Sequence, residues 1–387
     1  MAKPLDARAI LERLVAFPTV SRDSNLDLVD WVEDYLDGLG VKAHRMYNDA
    51  GDKAAIYAHV GPEVEGGVVL SGHTDVVPVD GQDWTSDPFT VTERDGKLIG
   101  RGTCDMKGFD ALALAAVPLA LEAGLKRPLQ IALSFDEEIG CTGAPPLIEH
   151  MLGTVPKAQS VIVGEPSMMK AVTGHKGGQG FQVHVKGFEV HSSIMHTGVS
   201  AIMEAARLID WGNRMNAENS TRPPSDTAAL FDPPWTTLHV GRIKGGTAHN
   251  ITAKDCYLGF DFRFLPDDDP ADWIARFRDE VMAISDRMRA VHPAAGIELD
   301  QRFGVPGLRP EDDGPAEALV RSITGDNGGH VVSYGTEAGH FQARGYSAVI
   351  CGPGDIAQAH QPDEYITLEQ FHAGQRFMQS LVDRLAA

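Results

Sequence analysis

Five residues able to bind a metal ion, His73, Asp105, Glu138, Glu165 and His360, each lie a short way past an apolar run in a chain of 387 residues. Imidazole nitrogen and carboxylate oxygen suit zinc or a similar divalent ion, and these groups exceed what one tetrahedral ion with an open position can use. Two ions sharing a bridging carboxylate fit the number better. Charge agrees with this, because the three carboxylates and a bridging hydroxide together balance two divalent cations, the imidazoles being neutral. Around these residues, Ser71-Gly72-His73-Thr74-Asp75 puts His73 and Asp75 two apart, on the same side of an extended strand end. Asp75 can then accept the second ring N–H of a metal-bound imidazole. In Asp136-Glu137-Glu138, adjacent carboxylates repel one another unless cations are near. Neighbouring side chains at a strand end diverge, so Glu138 can bind metal while Glu137 faces a water as general base.

Each motif also has an ordinary reading by itself. Asp75 can be a strand-end residue near a surface His, and Asp105, which precedes a helix from Phe109, can be an N-cap. The acidic triplet can be a solvated loop, Glu165-Pro166 a plain turn, and His360 structural. The glycine-rich Gly100–Gly108 segment lacks both phosphate-loop and dinucleotide spacing. What raises these residues together is their placement. The runs Val68 to Leu70, Leu98 and Ile99, Ile131 to Phe135, Val161 to Val163 and Ala348 to Cys351 read as buried strands, and ligands of open α/β sheets gather beyond strand carboxyl ends.

From Asp6 to about Gly174 helices alternate with short buried strands, which predicts an α/β domain with a mainly parallel sheet. Gly177, Gly178 and Gly180 then open a segment of alternating strands: Phe181 to Val185, Leu238 and Val240, Tyr257 to Phe264, and Ile297 and Leu299. Helical patterns at Ala201 to Met215 and Ala271 to Val291 complete the order of a split βαβ, ferredoxin-like α+β unit. After Pro306 the first pattern resumes and ends in a helix from Leu368 to Leu385. The expected organisation is a catalytic domain of residues 1–175 and 306–387, interrupted by an inserted domain of residues 176–305.

Lys and Arg number 34 against 54 Asp and Glu, a formal charge of −20, so phosphate backbones and anionic lipid are repelled. Nucleic acid and membrane are therefore excluded as expected partners. Cys104, Cys141, Cys256 and Cys351 show no paired spacing, so neither a disulfide framework nor a thiolate metal site is predicted. The start of the chain reads as a helix beginning near Asp6 with Ile10, Leu11, Leu14 and Val15 on one face, unlike a signal peptide. Ala111 to Leu121, interrupted by Pro118, falls short of the roughly 20 residues of a membrane span. A cytoplasmic protein is the expectation.

Taken together, SGHTDVVP, GRGTCDMKG, SFDEEIGC, VGEPS and AHQPDEY resemble the di-zinc aminoacylase and carboxypeptidase family, over nearly the whole chain. The resemblance implies that His73 and Glu165 hold one zinc, Glu138 and His360 the other, and Asp105 bridges, with cobalt a possible substitute. It implies further that Asp75 orients His73, that Glu137 is the general base, and that a cis peptide follows Asp105. The insert is implied to be a dimerisation or lid domain of a homodimer, whose His191 serves the neighbouring subunit; a turn residue is the alternative for that His. Asn250 and Arg263 are implied to meet a substrate carboxylate, and Lys176 and Thr336 to line the pocket. His340 departs from the apolar residue implied at its position. GHKGG, YGTEAGHFQ and CGPGDIAQAHQPDEYI narrow the expectation to a deacetylase of an N-acyl amino acid in amino-acid biosynthesis. Rival activities are succinyl-diaminopimelate desuccinylase, another aminoacylase and a dipeptidase. A catalytically dead relative that only binds metal or ligand is the rival of a different class, and the intact Glu137 speaks against it.

Overall fold

Val68–His73, Leu129–Ser134, Ser160–Pro166 and Ser347–Gly352 are short, apolar and buried along almost their whole length, as strands covered on both faces must be. In the computed structural model, which describes residues 4–387, they form the parallel centre of an eight-stranded sheet. His73 lies opposite Ser134, and Val68 pairs with both Leu129 and Ser160. The flanks are antiparallel: Ala43–Tyr47 pairs with Ala54–Val60, which pairs with Leu129–Ser134, and Val172–His175 lies against Ser347–Gly352. The parallel reading thus holds for the centre, where helical crossovers cover the strands, and gives way at the edges.

The sheet belongs to a unit comprising the chain up to Gly174 with Pro310–Val331 and Thr336–Ala387. Asp6 caps the helix Ala7–Val15 by accepting from the amide of Ala9 at 2.8 Å, and Ile10, Leu11, Leu14 and Val15 are buried. Helix Lys107–Ala123 is buried on nearly every side and carries Pro118 within it, ending at Gly124 with φ 64°. Thr367 caps Leu368–Ala386, and a Cβ at Gly374 of that helix would stand 2.4 Å from Leu112 Cδ1, which would have to shift to admit it. At the sheet, a Cβ on Gly164 would meet the ring of Phe109 at 2.0 Å, so the absence of a side chain lets this strand pass over Phe109 just before Glu165. Leu98 and Ile99 belong to a separate three-stranded sheet of Thr92–Arg94, Lys97–Ile99 and Tyr365–Thr367. Asp105 therefore follows a strand of this small sheet rather than of the main one, since a two-residue run does not say which sheet it joins.

The second unit is His175–Arg309 with Val332–Gly335. Its order is strand Gly177–Lys186, helix Ala201–Ser220, strands Thr237–Gly245 and Asp255–Phe264, helix Pro270–Val291 and strand Gly296–Val305. All neighbours in its four-stranded sheet are antiparallel. Phe181, Val183 and Val185 are buried while Gln182, His184 and Lys186 between them are less so, the period of two that a one-sided sheet requires. Phe260, Phe262 and Phe277 pack with Phe181 and Trp211 in the core against the helices. Val332–Gly335 lies outside the expected insert. It joins this unit because the amide of Lys176 donates to the carbonyl of Val332 at 3.3 Å and Ser333 Oγ donates to the carbonyl of Asp232 at 2.7 Å. Among the described residues, no helix is long and apolar enough to cross a membrane.

Candidate metal centre and active site

The five donors converge at the carboxyl ends of the central strands. His73 ends its strand and is buried, with Nε2 3.1 Å from Asp105 Oδ1 and 3.8 Å from Glu165 Oε1. His360 stands on a loop at φ 63°, its side chain 52% exposed, with Nε2 3.3 Å from Asp105 Oδ2 and 3.0 Å from Glu138 Oε2. The two oxygens of Asp105 thus face two different imidazoles, the arrangement that a carboxylate bridging two cations requires. Donor atoms of His73, Glu137 and Glu165 lie within 4.8 Å of one another, as do those of His73, Asp105 and Glu138. Those sets divide the donors differently from the expected pairs, while His360 approaches Glu138 and Asp105.

Burial pushes the carboxyls of Glu137 and Glu165 well above the usual carboxylate range and that of Glu138 to about 7. Burial pushes Asp105 up as well, but its bonds to His360 and His73 more than reverse this, and it falls well below the ordinary value. Bonds to Asp105 and Glu138 raise His360 to about 10. Carboxylates gathered around two imidazoles make a site that favours positive charge. Oxygen and nitrogen donors without a thiolate fit two divalent metal ions.

Asp75 acts otherwise than its spacing suggested. The main-chain carbonyl of Asp75 accepts from His73 Nδ1 at 2.8 Å, while its carboxylate stands 3.6 Å from that nitrogen. That carboxylate instead accepts the amides of Glu137 at 3.1 Å and Glu138 at 3.4 Å and the hydroxyl of Ser21 at 2.6 Å. A carbonyl two residues on is simply nearer to Nδ1, which frees the acid to hold the Glu137-Glu138 turn. Asp105 is not a helix cap, since Met106 occupies that position without a side-chain bond. The peptide between Asp105 and Met106 is cis.

Buried acids that sequence reasoning passed over support the centre. Glu364 Oε1 accepts the amides of Gly102, Cys104 and Asp105, each at 3.0 Å, and Oε2 accepts from Arg101 Nη1 at 2.5 Å. Glu337 accepts from Ser71 Oγ at 3.0 Å and from Ser134 Oγ, two residues before His73 and Asp136 on adjacent strands, and burial pushes it up to about 7. For Glu337 the signal was an acid between small residues in Gly335-Thr336-Glu337-Ala338-Gly339, whereas Glu364, beside Asp363, carried no such signal.

Thr336 is buried, and its hydroxyl accepts from the amide of Ala338 at 3.1 Å. His340 is buried in the short helix Ala338–Gln342. Within the second unit, His191 is exposed and caps the turn Ser192–Thr197, its Nδ1 accepting from the amide of Ser193 at 3.2 Å. Asn250 is exposed, its carbonyl accepting from the amide of Ser192 at 2.9 Å, and Arg263 Nε donates to Asp261 at 3.0 Å. Lys176 corrects the expectation of a pocket-lining cation. It is buried, and Nζ donates to the carbonyls of Pro233 at 2.7 Å and Trp235 at 2.8 Å, because a buried ammonium needs acceptors.

A family model, peptidase family M20/M25/M40, matches residues 69–384. The chain therefore belongs to this family, and it is a hydrolase of the amidohydrolase kind. It is 36% identical over 367 residues to acetylornithine deacetylase of Myxococcus xanthus, covering 94% of this chain and 93% of the relative. Acetylornithine deacetylase of Pasteurella multocida is 32% identical over 381 residues, covering 95% of each. An M20 family metallo-carboxypeptidase from Sulfolobus solfataricus has the same fold, with TM-score 0.80 and 18% identity over 99% of both chains. So does a dinuclear metal binding peptidase of the family from Bacillus subtilis, with TM-score 0.66 and 15% identity over 98% of this chain and 97% of the other.

Proposed function

We propose that this protein is a two-metal deacetylase that releases acetate and ornithine from N-acetylornithine in arginine biosynthesis. The observation that carries the two-metal part is the bridging posture of Asp105 between His73 and His360. The relatives named acetylornithine deacetylase, similar over nearly their full length, support the substrate. Zinc, or cobalt in its place, would be held by His73 and Glu165 at one position and by Glu138 and His360 at the other, with Asp105 shared. When bound, the ions would polarise the amide carbonyl and lower the pKa of water. Glu137 takes a proton from the attacking water and delivers it to the leaving nitrogen. Asp75 keeps Glu137 in place by accepting its amide. The buried, free thiols of all four cysteines support a reducing cytoplasm.

The choice of acyl group rests on charge. A succinyl group adds a second carboxylate, and an unpaired buried charge is costly. Lys176, implied to line the pocket, has its ammonium committed to two carbonyls. A chain of net charge −20 also attracts the cationic side chain of ornithine. N-acetylornithine is expected to be cleaved with kcat/KM at least about tenfold above that for N-succinyl-diaminopimelate, a difference of about 1.4 kcal/mol in transition-state binding. The reverse preference would overturn the substrate while leaving the hydrolase intact, and acetate release from neither, with a dipeptide cleaved, would favour a dipeptidase.

The second unit we assign to dimerisation and to covering the substrate, with Asn250 and Arg263 meeting its carboxylate and His191 serving the partner's site, and Thr336 of the first unit we assign to lining the pocket. Its ferredoxin-like sheet and the exposed position of His191 support this. Mixing inactive Glu137→Gln protein with inactive His191→Ala protein is expected to restore part of the activity, since mixed dimers contain one site with both groups intact. No recovery after verified subunit exchange rules out the shared site.

A further inference from the structure

His73 sits in a strand, where sheet hydrogen bonds hold its backbone, but His360 stands on a loop, at a left-handed φ, with an exposed side chain. A ligand so placed needs its backbone fixed by other groups. The carbonyl of His360 accepts from Gln82 Nε2 at 2.9 Å. The amide oxygen of Gln82 accepts from Arg101 Nη2 at 2.6 Å and from Trp84 Nε1 at 3.0 Å. Two donors on that oxygen settle which way the amide points and aim its NH2 group at His360. Arg101, 1% exposed, runs on to Glu364, equally buried, whose other oxygen gathers the amides of Gly102, Cys104 and Asp105. Beside this chain of bonds, the amide of Thr85 donates to Asp363 Oδ1 at 2.8 Å, a second tie between the same two loops.

We infer that Gln82 is a positioning residue that latches the main chain of His360 to Arg101 of the Asp105 loop, beside the tie that Glu364 makes between the same segments, and so sets the affinity of the metal position that His360 completes. Gln82 touches neither metal ligand side chain. It acts on the main chain of His360 alone, while the same carboxamide is oriented by a buried ion pair anchored on the bridging aspartate. The His73 position depends less on this latch, because His73 and Glu165, the two ligands it does not share, lie on sheet strands. This inference rests on the two-metal reading of the centre but not on the identity of the substrate.

Gln82→Glu separates the latch from general stability. The carboxylate still accepts from Arg101 and Trp84, yet it replaces the donor to His360 with an oxygen facing a carbonyl oxygen. Titration of zinc, and of cobalt followed by its visible spectrum, into the metal-free full-length protein is expected to show the first equivalent unchanged. The second is expected to be weakened by about tenfold or more, the usual scale for losing an outer-shell partner. Thermal stability without metal should stay near that of the parent, and Gln82→Ala should weaken the same equivalent. Two equivalents bound as in the parent protein, or both weakened alike, overturn the latch. Fewer than two equivalents in the parent overturn the centre and the latch together, whereas two equivalents without acetate release overturn only the proposed substrate.

Discussion

Glu137→Gln is expected to lower kcat for N-acetylornithine by about a hundredfold or more while the protein keeps two metal ions per chain. The amide of glutamine is nearly the same shape as the carboxylate, so the turn that carries it should survive. Its main-chain N–H still donates to Asp75 Oδ1 at 3.1 Å. What is lost is the ability to take a proton from water, because an amide is not a base near neutral pH. The carboxylate of Glu137 lies within 4.8 Å of donor atoms of His73 and Glu165, close enough to reach a water held there. Cys141 Sγ donates to Glu137 Oε1 at 3.2 Å, and this contact leaves the other oxygen to face the reacting proton. Metal content by emission spectroscopy and steady-state rates on the same sample provide the check. Near-normal turnover with both metals retained would remove Glu137 from its role.

Stripping the metals with a chelator should abolish hydrolysis completely, and adding zinc or cobalt back should restore it. The effect should be visible in stability as well as in rate. Buried and mutually close carboxylates at Asp105, Glu138 and Glu165 repel one another, and a divalent cation removes that repulsion in the folded state only. At a free metal concentration a hundred times the dissociation constant, linkage adds about 2.7 kcal/mol per ion. In the unit that holds the donors this corresponds to a rise of several degrees in Tm, and calorimetry with and without metal measures it. Unchanged activity after exhaustive chelation, with metal content verified near zero, would dismiss a metal-dependent mechanism.

Much of the centre was legible in the chain because each donor follows its own local signal. His73 and Glu165 lie at the ends of strands, and Glu138 four residues beyond one, whose apolar runs are visible in one dimension. Glu137 was found the same way, as the neighbour that diverges from a ligand. Asp75 was found too, but for the wrong atom. Its type and spacing pointed to the carboxylate, while distance made the carbonyl the partner of His73. Lys176 was placed in the pocket by resemblance alone, and only the fold brings the carbonyls of Pro233 and Trp235 to its ammonium.

By itself the sequence determined the alternation of helix and strand, the order of the inserted split βαβ unit and the set of candidate ligands. Hydrophobic periodicity reports the burial of a segment, and that is a local property. The tertiary structure decided which partners those segments meet. Only there do the two oxygens of Asp105 divide between His73 and His360, and only there does Glu337 reach Ser71, 266 positions away in the chain. Arg101 likewise reaches Glu364 across 263 positions, and Gln82 reaches His360 across 278. Such pairings depend on where strand ends and loops arrive in space and on which acceptor is a few tenths of an ångström nearer, and no periodicity of the chain encodes that distance.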